Sequence, residues 1–211
     1  MPMLRLRAPS MRDPGEFGLA SLVLRQAGEE SRLVTFIAAR RQEGTSSVAL
    51  EFARTAREIM GQRVLLLDAT ARTLLLDQAP LTLAEAVRDQ LTPDRAILPG
   101  DDDVDRALLG DPNGSQRAGT DGAADPGELW RPLRERYALI VIDAPSLEES
   151  HLGLALARHS DATVVVVQAE RTRRWRVRQL VDLLRQTGAT LAGTVLNRRR
   201  TYAPRFLLGL R

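Results

Sequence analysis

"FIAARRQEGTSSVALEFAR", Phe36 to Arg54, passes from an apolar run through a polar, glycine-bearing turn straight into a helical pattern. That is the outline of a phosphate-binding loop. Such a loop needs glycine for tight backbone turns and free amides at a helix N-terminus to receive anionic oxygens. It also needs a lysine that reaches the terminal phosphates and a serine or threonine for magnesium. Laid on the pattern G-x-x-x-x-G-K-[ST], residues 39–46 keep Gly44 and Ser46, with Ser47 following. Ala39 stands at the first glycine and Thr45 at the lysine. "GTSS" is equally a good start for any helix, because hydroxyls there accept amide hydrogens. The pattern alone leaves a helix cap and a phosphate site level.

The surroundings favour the phosphate loop. Apolar runs at 33–39, 63–69, 137–144, 162–169 and 190–197 read as strands, with a short one at 95–100. Helical patterns at 15–27, 46–60, 81–91, 128–136, 147–159 and 172–187 alternate with them. In the helix at 46–60 the expected buried face is Val48, Phe52, Ala56 and Ile59. The strands are continuously apolar rather than alternating, as expected when both faces of a sheet are covered. Strand–helix alternation implies a mostly parallel, doubly wound sheet in a three-layer α/β/α sandwich. Ligands of such sheets bind beyond the carboxyl ends of the strands. The 39–46 loop, Asp68 and Asp143 all fall there. One domain over 1–211 is expected, with an N-terminal segment at 1–30, a turn-rich loop at 110–127 and a basic tail at 198–211.

Composition narrows the chemistry. The chain has 211 residues, no cysteine and a formal charge of +3. Disulfides and thiolate metal sites are excluded. All 30 basic residues are arginine. No lysine of this chain can serve the loop, so arginine must do any phosphate work, and Arg40 and Arg41 are the candidates within it. No apolar run is long enough to span a bilayer. The basic N-terminus lacks a signal-peptide core, and a cytoplasmic location is expected.

"FIAARRQEGTSSVALEFA", "RVLLLDATAR", "YALIVIDAPS" and "ATLAGTVLNR" follow one another in an order and spacing that resemble a known family. They look like the cytoplasmic bacterial tyrosine kinases of capsule and exopolysaccharide synthesis, within the MinD/ParA group of deviant P-loop ATPases. The resemblance covers about residues 15–200. It implies a P-loop NTPase-like fold with ATP and Mg2+ as cofactors. Glu43, Gly44 and Ser46 would match the family's phosphate loop. Asp68 and Arg72 would match its second acidic segment, and Asp143 and Pro145 its third. Asn197 and Arg198 would match an Asn-Arg pair beside the adenine. Magnesium would be held by Ser46, Asp68 and Asp143, and the two aspartates would carry any catalysis.

The departures are as specific as the matches. Thr45 replaces lysine, Thr70 replaces a second aspartate, and the tail has Tyr202 where the family carries a tyrosine cluster. The early helix keeps Glu16 and Arg25 of a ring-forming motif. Loss of the lysine removes roughly 3–4 kcal/mol of transition-state stabilisation, about 10²–10³ in rate. The resemblance thus implies a degenerate member that binds ATP weakly or not at all. Its partners would be a membrane polysaccharide copolymerase, a sister kinase or a second copy of itself. The tail could rest on an anionic membrane surface. Near-balanced charge argues against nucleic acid. Two rivals share these residues: a working kinase or ATPase that uses arginine for lysine, and a MinD/ParA-type positioning ATPase. Arg40 and Arg41 read more readily as solvated loop charges than as phosphate ligands, and Glu43 has a solvent-facing reading beside its match to the loop. Tyr137 is expected to be structural. "RTRRWRVR", 171–178, is expected to be a solvated helix face with Trp175 or Val177 turned inward.

Overall fold

A computed structural model describes residues 3–5, 32–70, 81–100, 102–110 and 126–198. The strands are β1 (Met3–Arg5), β2 (Arg32–Ala38), β3 (Val64–Asp68), β4 (Ile97–Leu98), β5 (Val104–Leu108), β6 (Leu139–Asp143), β7 (Ala162–Gln168) and β8 (Leu191–Asn197). The helices are α1 (Thr45–Met60), α2 (Leu83–Arg88), α3 (Pro126–Arg134), α4 (Leu152–Arg158) and α5 (Arg174–Gln186), with a 3-10 turn at Pro93–Ala96. The strands form one eight-stranded sheet in the order β1-β8-β7-β2-β6-β3-β5-β4. Among the described residues only β4 on β5 is antiparallel.

β2 shows why the apolar runs are continuous. Leu33 and Ile37 enter one core with buried residues of α2, α3, α4 and α5. Val34, Phe36 and Ala38 enter the other with Val48, Ala49, Phe52, Ala53 and Ala56 of α1. Phe36 meets Phe52 with ring centroids 5.0 Å apart. On a strand covered on both faces a polar side chain is costly unless it is bonded. Thr35 obeys this: its hydroxyl lies 2.6 Å from that of Ser160.

The expected doubly wound sheet is present, with differences at its edges. β5 was not legible as a strand, because Asp105 and Arg106 sit inside it. Both charges are paired there. Asp105 accepts from Arg63 and from the Tyr137 hydroxyl, each at 2.7 Å. Arg106 donates to Asp102 at 2.6 Å. Tyr137 is thus structural, as expected, and burial with its Asp105 contact pushes its phenol above the ordinary value. β1 has only three residues, too few to show periodicity. The expected strand at 95–100 shrinks to β4 behind the 3-10 turn. The expected helix at 81–91 shrinks to α2, opened by a capping box of Thr82 and Glu85. Ile59 is corrected: it lies in the last turn of α1, where the buried stripe has ended, and is 43 % exposed. The expected helix at 15–27, Arg72, the loop through 111–125 and the tail from 199 lie outside the described residues.

Candidate functional site

Parallel pairing brings the carboxyl ends of the central strands together. β2 lies between β6 and β7, and β3 lies beside β6 with Asp68 opposite Asp143. At the far side of β7, Asn197 of β8 is in register with Gln168. The loop from Ala39 to Gly44 therefore opens above a row holding both aspartates and Asn197.

Gly44 is the N-cap of α1 at φ 87°, and no side chain caps the helix. The first bond of the helix is Val48 N–H to the Gly44 carbonyl at 3.1 Å. The amides of Thr45, Ser46 and Ser47 have no acceptor among the described residues. The cap reading of "GTSS" is thereby corrected. Ser46 and Ser47 are exposed. Three free amides at a helix start form an anion cradle. A side chain at 44 would be driven into Asn197, whose Nδ2 lies 2.1 Å from where its Cβ would stand. That same Nδ2 donates to the Glu43 carbonyl at 2.9 Å. Asn197 also accepts the Arg198 amide at 2.8 Å, and Arg198 donates through its guanidinium to the Gln42 carbonyl at 3.3 Å. The Asn-Arg pair thus holds the loop from behind.

Glu43 does not face solvent. It is 2 % exposed, because the loop folds it inward against the segment after β7. Thr172 donates its hydroxyl to one Glu43 oxygen, and the Arg40 amide approaches the other at 3.4 Å. Burial holds the Glu43 carboxyl above its ordinary pKa, partly offset by Thr172 and the loop amides. Nothing near Glu43 in sequence signals this, since its partner lies 129 residues away.

Arg40 and Arg41 are not simply solvated either. Arg40 Nε lies 3.8 Å from Glu148 and Arg41 Nε 3.2 Å from Glu149. Glu148 also accepts the Arg41 amide at 3.3 Å, and Arg176 lies 3.7 Å from it. The turn after β6, which supplies these carboxylates, is held by Glu149 accepting from the Ser146 amide and hydroxyl at 3.2 and 2.6 Å. Exposed pairs of this kind contribute roughly 0–1 kcal/mol each. They hold the guanidiniums to one side of the cradle without locking them.

The two aspartates differ. One Asp68 oxygen accepts from the Thr70 amide and hydroxyl, both at 2.7 Å. Thr70, at the position where the resemblance places a second acid, thus serves as a clamp on the first. Asp143 is 3 % exposed, and its Oδ1 is buried with no hydrogen-bond partner. Burial raises its pKa to about 7; the Ser46 hydroxyl bond opposes this, while Asp68 and Glu149 add to it. An orphaned buried carboxylate oxygen facing a second carboxylate is where a divalent cation fits. No cluster of three or more His, Asp or Glu placed to hold a metal occurs among the described residues. Ser46, Asp143 and Asp68 make up the candidate set.

Gln42 carries a strain that can be measured. Its φ is 63°, in the left-handed region. That region costs a non-glycine residue roughly 1–2 kcal/mol, part of which a glycine would return as unfolded-state entropy. Gln42→Gly is expected to stabilise the protein by about 1 kcal/mol or slightly less, read by urea unfolding. Equal or lower stability would mean that the loop is not strained there.

The chimerical protein CapA2B2 superposes with a TM-score of 0.75 at 18 % identity, covering 95 % of each chain. The kinase domain of Escherichia coli tyrosine kinase ETK follows at TM-score 0.64 and 17 % identity, covering 87 % of this chain and 75 % of that one. Cobyrinic acid a,c-diamide synthase from Mycobacterium smegmatis, solved with bound ADP and magnesium, superposes at 0.60 and 19 %, covering 79 % and 72 %. No protein-family model and no curated protein matches the chain. The expected P-loop NTPase-like fold is therefore shown by structure where sequence comparison is silent.

Proposed function

We propose that this chain is a degenerate tyrosine-kinase-like P-loop protein that serves bacterial exopolysaccharide synthesis or export as an accessory or regulatory component. Its partner would be a membrane polysaccharide copolymerase, a sister kinase or a second copy of the chain. The likeness to tyrosine kinase domains supports the general kind. The observation that carries the degenerate reading is Thr45. It is the first residue of α1, its own amide is one of the three free ones, and its side chain brings no charge. The loop arginines are engaged with Glu148 and Glu149.

Magnitudes rank these effects. Freeing two exposed ion pairs costs a ligand little. A missing cation at the terminal phosphates removes charge-assisted bonds, each contributing roughly 1.5–3 kcal/mol. The absent lysine therefore decides, and affinity for Mg-ATP falls while the shape of the cradle persists. Ser46, Asp143 and Asp68 would hold magnesium. The cation would supply neutralisation of phosphate charge. The chain's own contribution would be the amides of Thr45–Ser47 for the phosphates, with Asn197 and Arg198 keeping the loop in place.

Calorimetric titration with Mg-ATP tests this. The expected result is a Kd in the millimolar range or beyond, with no turnover. Micromolar binding with hydrolysis that disappears in Asp143→Asn would support the rival reading, a working ATPase with Arg40 or Arg41 in the lysine's place.

A further inference from the structure

We propose that the surface formed by Arg171–Arg178 is a docking site for an anionic lipid bilayer. The inference is independent of whether the loop binds nucleotide.

Trp175 was one of two candidates for the inward position of this segment. Val177 takes that position, packing against the core with Leu180 and Leu184. Trp175 is turned outward and is 53 % exposed; it and Ile59 are the large exposed hydrophobic residues among those described. Around it Arg171, Arg173, Arg174 and Arg178 are all exposed. None of the four meets a carboxylate among the described residues. Several arginines elsewhere find acids: Arg54 and Arg106 share Asp102, Arg63 meets Asp105 and Arg134 meets Asp161. What sets this segment apart is that four unpaired arginines stand close in sequence to an outward indole.

The chemistry that complements it is a plane of anionic headgroups. Tryptophan settles at the headgroup level, with its ring in the acyl boundary and its N–H in water. Each arginine near such a surface adds a further increment of electrostatic attraction. Nucleic acid fits less well. One face of the indole is already taken by the Arg176 guanidinium, 4.9 Å from the ring centroid. Single strands are held by successive aromatic platforms along a groove, and this segment has one ring. The surface is joined to the loop of the candidate site. Thr172, between Arg171 and Arg173, donates to Glu43, and Arg176 pairs with Glu148.

The test uses the full chain with sedimented vesicles. One set is pure phosphatidylcholine and the other contains phosphatidylglycerol as a third of the lipid. Binding is expected on the anionic vesicles alone, weakening steeply as salt rises from about 0.05 to 0.5 M. Each of Arg173→Gln, Arg174→Gln and Arg178→Gln is expected to lower partitioning about fivefold. Trp175→Ala is expected to lower it about tenfold. Because all four side chains are exposed, the variants should melt with the wild type. Emission of Trp175 should shift to the blue on binding, and Trp175→Phe should abolish the shift, since Trp130 is buried. Equal binding to both vesicles, no binding to either, or a triple arginine variant that binds like the wild type would overturn the proposal. So would tighter binding to a labelled DNA oligonucleotide than to the anionic vesicles, lost in the same variants.

Discussion

At pH 8, Asp143→Asn is expected to be more stable than the wild type by roughly 4 kcal/mol, and at pH 4 by almost nothing. The carboxyl is 3 % exposed, one of its oxygens is orphaned, and Asp68 lies opposite in the next strand. Burial, with the charges of Asp68 and Glu149, raises its pKa from 3.8 to about 7, against the opposing bond from Ser46. The folded state therefore keeps a proton that the unfolded chain releases near pH 4. Stability from this group is complete below the unfolded value, falls as pH rises from about 4 to about 7, and stays low above that. About three pH units at 1.36 kcal/mol each give the figure. Asparagine keeps the shape and stays neutral, so the gap between variant and wild type should open across that window. Urea unfolding of both proteins at pH 4, 6 and 8 measures it. A constant gap would show that the Asp143 carboxyl has the same pKa in the folded and the unfolded chain. Magnesium adds a second arm. It binds the charged carboxylate, so at pH 8 it should stabilise the wild type and leave the variant unmoved. A wild type indifferent to millimolar magnesium would remove Asp143 from the candidate metal set.

How much of this could be read from the chain depended on whether a residue's partners were near in sequence. β2, β6 and β7 were legible because burial on both faces leaves an unbroken apolar run. β5 was not, because Asp105 and Arg106 are satisfied by Arg63, Tyr137 and Asp102. Asp68 and Asp143 were legible as strand-ending acids, and the sheet does place them side by side. The burial of Glu43 was hidden because Thr172 is remote. The orientation of Trp175 was recoverable: Val177, Leu180 and Leu184 fall at i, i+3 and i+7, and Trp175 is out of phase with them. A charge-dense segment distracts from that spacing. The clamp of Thr70 on Asp68 shows a different limit. Substitution of an acid by threonine reads as a loss, yet the hydroxyl acquires a local bond of its own.

Thr45→Lys is expected to raise affinity for Mg-ATP by about 10–100-fold, bringing a millimolar Kd into the micromolar range. Residue 45 is the first of α1 and only partly exposed, next to the free amides of the cradle. An ammonium there adds charge-assisted bonds to phosphate oxygens, each contributing roughly 1.5–3 kcal/mol. The glycine before it already holds the required backbone, with φ 87° and the Asn197 side chain packed against its α-carbon. Little rearrangement is therefore needed for the new side chain to act. Thr45→Met is the control, with similar length and no charge, and it should gain nothing. Gain confined to lysine would mean that the cradle survives and lacks only its cation. If both variants bind no better than wild type, the amides of Thr45–Ser47 do not receive phosphate. If the wild type already binds at micromolar concentration and lysine adds less than about twofold, a guanidinium already fills the role, and Arg40→Ala and Arg41→Ala would then identify which one.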